Sequence, residues 1–123
     1  MPDLHYMELN LMQIFDVLRK AELTRLAVTL EDQPYLVPLH YQLEVSQGET
    51  LIHIVIPDHG RLADILRVSG LVCLEMELAG CAWLDTVLLE GLARVHPHEE
   101  LEVLGVSILV TEMTGRRFFQ PTS

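Results

Sequence analysis

Apolar residues return along this chain at two different spacings, and the switches between them mark its elements. Between Glu8 and Ala21, Leu11, Ile14, Phe15, Leu18 and Ala21 recur every three or four positions, backed by Asp16, Arg19 and Lys20. That rhythm predicts an amphipathic helix, and Asn10 is placed to cap its first turn. Residues 1–7 read as a loosely held tail. Leu23 to Leu30 alternates instead, with Leu26, Val28 and Leu30 on one face, which is the period of a half-buried strand. Glu31-Asp32-Gln33-Pro34 is a turn. Tyr35 to Val45 then returns as the second arm of a hairpin, with Val37, Leu39, Tyr41 and Leu43 on its inner face. Pro38 in that arm calls for an edge position or a bulge, because proline cannot donate to a ladder.

A turn at Ser46–Glu49 leads into Leu51–Ile56, a β-branched run that reads as a third strand. Pro57-Asp58-His59-Gly60 stops it, and Leu62, Ile65 and Leu66 restore the helical spacing up to Ser69-Gly70, where Gly70 is a candidate cap. Leu71–Leu78 is a fourth strand with Val72, Leu74, Met76 and Leu78 inward. Trp83–His96 is a fifth, stopped by Pro97. His98–Leu104 allows one or two helical turns, Val106–Thr114 is a sixth strand, and Gly115-Arg116-Arg117 follows as a solvated tail. Six short strands, hairpin connections and two or three short helices predict a mainly β fold, an antiparallel barrel. The 123 residues suffice for one domain, 1–123, with a single core.

Several strands are apolar on both faces: Ile52, Ile54 and Ile56 oppose Leu51 and Val55, and Val87 and Leu89 oppose Leu84, Leu88 and Leu92. A small barrel has one inside, so a second copy of the chain is the simplest cover for the outer face, and a homodimer is expected. Mean hydropathy is +0.28. Even so, no run approaches the roughly 18 apolar residues of a membrane helix, and no secretory leader opens the chain, so a cytoplasmic protein with no membrane partner is expected. Eighteen Asp and Glu face eight Lys and Arg, a surface that repels nucleic acid. Cys73 and Cys81 lack metal-ligand spacing and read as reduced thiols, Cys73 as core filler. His96-Pro97-His98 alone makes no zinc site, and no nucleophile elbow or phosphate-binding glycine motif is present.

The stretch with chemical promise is Thr50–Leu66. A strand turning tightly into a helix presents free N–H groups to the loop, an arrangement suited to an anion. Gly60 permits close approach, Arg61 offers a forked cation, and His59 stands in the same turn. In order and spacing, Leu26-Ala27-Val28, Gln33–Tyr41, Leu51–Ile56, Gly60–Ala63, Val72–Glu75, Thr86–Gly91 and Met113–Arg116 resemble the FMN-binding split-barrel family. This is the pyridoxamine 5′-phosphate oxidase-like superfamily. The resemblance spans residues 10–117 and implies a split β-barrel homodimer holding FMN in the dimer groove, an oxidoreductase whose chemistry the flavin carries. It places isoalloxazine contacts at Pro38, Leu39, His40, Ile54, Val55 and Ile56, the phosphate at Gly60, Arg61 and Leu62, and a polar contact at Thr86; His59, in the same turn, is a candidate donor to that phosphate or an exposed side chain. Leu62 stands where the family carries lysine. That departure supports an alternative, a split-barrel dimer without FMN affinity that acts as a binding or regulatory module for another small molecule.

Overall fold

Asn10 opens helix α1 (Leu11–Lys20) as expected: its Oδ1 accepts from Gln13 N–H at 2.9 Å while Gln13 Oε1 accepts from Asn10 N–H at 2.8 Å. Two of the helix's free donors are satisfied by this reciprocal box. The computed structural model describes residues 5–119. After α1 come β2 (Leu23–Leu30) and β3 (Gln33–His40), β4 (Gln42–Ser46) and β5 (Glu49–Pro57). Helix α2 (Arg61–Val68) follows, then β6 (Leu71–Ala79), β7 (Trp83–His98), a 3₁₀ turn at Glu99–Leu101, and β8 (Val103–Phe119); β1 (Tyr6–Glu8) precedes them all. Both early hairpins are tighter than the sequence suggests. Glu31 and Asp32 have φ of +52° and +62°, and Gln47 and Gly48 +52° and +80°. Such two-residue turns match the twist of the strands they join, so β3 starts at Gln33.

The strands form one antiparallel sheet in the order β3-β2-β6-β7-β8-β5-β4, with β1 beside β8. β3 and β4 lie at opposite ends of that path, yet only Tyr41 separates them in the chain. The sheet therefore curls until its ends meet at Tyr41, and the ladder is open between β3, which pairs with β2, and β5, which pairs with β8 and β4. The predicted second strand is thus two strands with a bend between them. Tyr41 holds the bend: its hydroxyl donates to the Leu18 carbonyl at 2.7 Å and lies 3.2 Å from that of Ala21, serving the last carbonyls of α1. Burial pushes the phenol's pKa up and keeps it a donor.

Inside sit Leu26, Ile52, Leu74, Met76, Leu89, Leu104 and Ile108, all fully buried, with Ala63, Ile65 and Leu66 of α2 and Ile14, Val17 and Leu18 of α1 closing over them. Several expectations change. Residues 5–7 are not a free tail, because Tyr6–Glu8 pairs with Arg116–Phe118; residues 1–4 lie outside the described span. Arg116-Arg117 is strand rather than tail for the same reason. Pro97 does not stop β7: beyond Leu92 that strand pairs only with β8, so a missing N–H falls on a free edge. Helix α2 ends on extended Ser69, not on a left-handed Gly70. A Cβ at Gly70 would lie 3.0 Å from the Ala93 carbonyl, so its role is close approach to β7. Cys73 faces outward, half-buried, rather than filling the core.

A bulge between Glu90 and Gly91 lets β7 and β8 bend around the barrel. Beside it Glu90 and Glu112 are register partners on the outer face. Hydrogen bonding to Glu112 raises the Glu90 pKa above its ordinary value, with the charge of Glu112 adding to it. A raised acid holds its proton in the fold after the unfolded chain has lost it. Its contribution is complete below the ordinary carboxylate value and disappears as pH rises through the raised one. Glu112→Gln should therefore flatten the fall in melting temperature between roughly pH 4 and pH 7 and leave the variant more stable than the parent at neutral pH. Parallel melting curves for the two proteins across that range would show that the carboxyls do not interact.

Candidate functional site

The opening between β3 and β5 forms a groove of about 580 Å³, lined by Leu23, Pro38, Leu39, His40, Tyr41, Gln42, His53, Ile54 and Val55. That volume is within the usual range for small-ligand sites. Five of the residues singled out from the sequence meet here: Pro38, Leu39 and His40 on one lip, Ile54 and Val55 on the other. Their side chains divide by strand parity. Pro38, His40 and Val55 are exposed, and Leu39 is half-buried against the core. Ile54 and Ile56 are 3% and 2% exposed and turn inward, so Ile54 offers the groove little beyond backbone and Ile56 is not among the residues that line it.

The strand–turn–helix junction is a separate feature: His59, Gly60, Arg61 and Leu62 are not among the residues that line the groove. Gly60 has φ of +101° and stands at the N-cap of α2, a backbone shape that favours glycine. Asp64 N–H donates to the Gly60 carbonyl at 3.1 Å, while the first-turn N–H groups before it have no helical acceptor. Asp58 and Asp64 do not neutralise Arg61. Asp58 Oδ1 lies 3.3 Å from His59 Nδ1, and Arg67 takes Asp64 at 3.7 Å and the Asp58 carbonyl at 2.6 Å. Among the described residues Arg61 has no carboxylate partner, and its guanidinium lies 5.8 Å from the centroid of the Tyr35 ring on β3. A cation kept unpaired in a chain of net charge −10 is available to an anion. His59 is exposed beside it. Leu62 points the other way and packs half-buried against the core, so the position where the resemblance expects lysine belongs here to α2's inner face. Thr86 is not in this groove: it lines a separate cleft with Glu75, Leu88, Thr114 and Arg116.

His53 was missed. It lines the groove, with Nε2 2.7 Å from Glu44 Oε1 and Nδ1 3.0 Å from Ser107 Oγ. Its signal in the sequence was parity: His53 is two positions from outward-facing Val55, but the surrounding isoleucines made the run read as uniformly buried. The partners that fix its ring come from β4 and β8, 9 and 54 positions away.

No protein-family model matches the sequence, and no curated protein matches it. Solved structures do. A FAD-binding protein from Mesorhizobium loti superposes with a TM-score of 0.81 at 17% identity, covering 91% of this chain and 97% of that one. The fold is a split β-barrel. A candidate pyridoxamine 5′-phosphate oxidase from Corynebacterium glutamicum has the same split barrel, with a TM-score of 0.74 at 18% identity and 99% coverage of both chains. A FAD-binding protein from Mycobacterium smegmatis gives 0.71 at 22%, covering 93% and 99%. Identities this low establish the split-barrel architecture of the chain and nothing finer. No helix among the described residues is long and apolar enough to cross a membrane.

Proposed function

We propose that the chain is a flavin-binding oxidoreductase of the pyridoxamine 5′-phosphate oxidase-like kind, taking FMN in the groove between β3 and β5. The observation that carries this reading is Arg61, unpaired beside the free N–H groups of α2 at the end of the groove's β5 lip. In it, Gly60, Arg61 and His59 hold the phosphate, and Pro38, His40 and Val55, with the backbone of Leu39, Ile54 and Ile56, flank the ring. A bound flavin supplies hydride or electron transfer, and the protein supplies placement. The FAD-binding and oxidase-like names of the structural neighbours support the same ligand class.

The reading includes a homodimer. Leu36, Leu71, Leu88 and Leu92 are 63%, 71%, 50% and 48% exposed on the outer wall of β3, β6 and β7, more apolar surface than a lone subunit usually shows. Thr86, absent from its own subunit's groove, reaches a ligand only from a second copy. One observation favours the alternative, a barrel that binds something other than FMN: inward Leu62 leaves the phosphate turn with a single arginine.

Titrating the purified protein with FMN and FAD, followed by flavin fluorescence, separates the two readings. Saturable, stoichiometric quenching is expected. Arg61→Ala should weaken it about tenfold, the effect of losing one charge-assisted contact. Protein that stays colourless and leaves flavin fluorescence unchanged overturns flavin binding, and equal affinity in the variant removes Arg61 from the site.

A further inference from the structure

The outer wall beside the groove carries a second feature. Strand parity brings His53 of β5, Ser107 of β8 and Arg94, His96 and His98 of β7 to one surface, with His40 of β3 at its edge. Ser107 is in register with both His53 and Arg94, and Gly105 with both Val55 and His96. Gly105 leaves a floor without a side chain; a Cβ there would meet the His98 ring at 3.4 Å. Arg94 has no carboxylate partner among the described residues, and His40, His96 and His98 have no side-chain hydrogen bond there.

This grouping runs against the composition. The chain has ten more acidic than basic residues, yet four of its six histidines and an unpaired arginine share this strip. Six carboxylates stand around it, toward its ends. Glu44 of β4 is held by His53, and Glu49, at the start of β5 one row beyond Leu51, Leu109 and Leu92, lines the same cleft as Arg94, His96 and Ser107. Asp58, Glu99, Glu100 and Glu102 lie around the turn past His98. Between them is a shallow floor ringed by N–H and O–H donors, contiguous with the groove through His40 and His53.

We propose that this strip is an anion-binding subsite for the carboxylate or phosphate group of the molecule that reacts in the groove, and that its grip tightens as pH falls. Arg94 supplies the permanent charge, and the Ser107 hydroxyl is free to donate to an anion when protonated His53 gives its Nδ1–H to the serine oxygen. Imidazoles add to that charge when protonated. The identity of the occupant as a reaction partner rests on the flavin reading; the anion site itself does not.

The test is an NMR titration of the full chain without flavin, following histidine ring resonances at pH 6 and pH 8 under constant ionic strength. The probes are sulfate and benzoate, whose charges do not change over that interval. Saturable shifts at His53, His96 and His98, with His5 unmoved, are expected at pH 6. Response to sulfate alone marks a phosphate-type occupant, and response to benzoate alone marks a carboxylate. Affinity should fall about tenfold in Arg94→Gln, less in His96→Gln, and severalfold at pH 8. Equal shifts at His5, or affinity indifferent to Arg94→Gln and to pH, overturn the subsite. His59 reports separately on the Arg61 turn. Flavin binding without these shifts removes this inference alone, and shifts without flavin binding remove the flavin reading alone.

Discussion

Arg117→Met should be among the most destabilising single changes in the chain, read as a drop in the denaturation midpoint. Asp85 is an acidic residue among the buried ones, its side chain 5% exposed, and Arg117 answers it twice, Nε to Oδ1 at 2.7 Å and Nη2 to Oδ2 at 2.9 Å. The guanidinium also lies 4.4 Å from the centroid of the Trp83 ring. Methionine keeps the stem's packing but leaves a buried carboxylate unanswered, the costly half of breaking such a pair. Arg117 is itself 24% exposed, so water screens part of the attraction and holds the loss below that of a fully buried pair. Adding Asp85→Asn should restore most of the loss, since the amide removes the stranded charge. If the double variant is no better than Arg117→Met, packing rather than charge made the contribution.

The second large effect is expected at the bulge. A Cβ on Gly91 would stand 2.7 Å from the Leu109 carbonyl oxygen and 2.7 Å from Ile108 Cγ2. One neighbour is backbone, and the other is a fully buried side chain, so neither can step aside cheaply. Gly91→Val should cost roughly 3 kcal/mol as strain spreads into β7 and β8. A midpoint within about 0.5 kcal/mol of the parent would mean that the bulge shifts freely, contrary to its place in the longest ladder of the sheet.

These two sites also show what could be read in advance. Local signals were strong where neighbours in sequence set the outcome. Asn10 and Gln13 lie three apart and cap α1; Leu62, Ile65 and Leu66 turn α2 onto the core; Pro38 marks an edge strand that pairs on one side only. The groove's lips were legible for the same reason, since parity along β3 and β5 is a local property. What escaped depends on partners far along the chain. Asp85 meets Arg117 across 32 positions, His53 meets Ser107 across 54, and Tyr6–Glu8 is ordered only by the far end of β8. Nothing in Tyr35–Val45 announced a break at Tyr41, whose hydroxyl acts on a helix some twenty residues earlier. The split in the barrel is written there as one tyrosine's reach rather than as a turn motif.

Because a single residue joins the two edge strands and is moored to the end of α1, the mouth of the crevice has no slack of its own. Any molecule thick enough to wedge those edges apart must lift the helix with them. The protein should thus behave less like a pocket with a mobile flap than like a spring clip, choosing flat guests by the stiffness of its hinge pin.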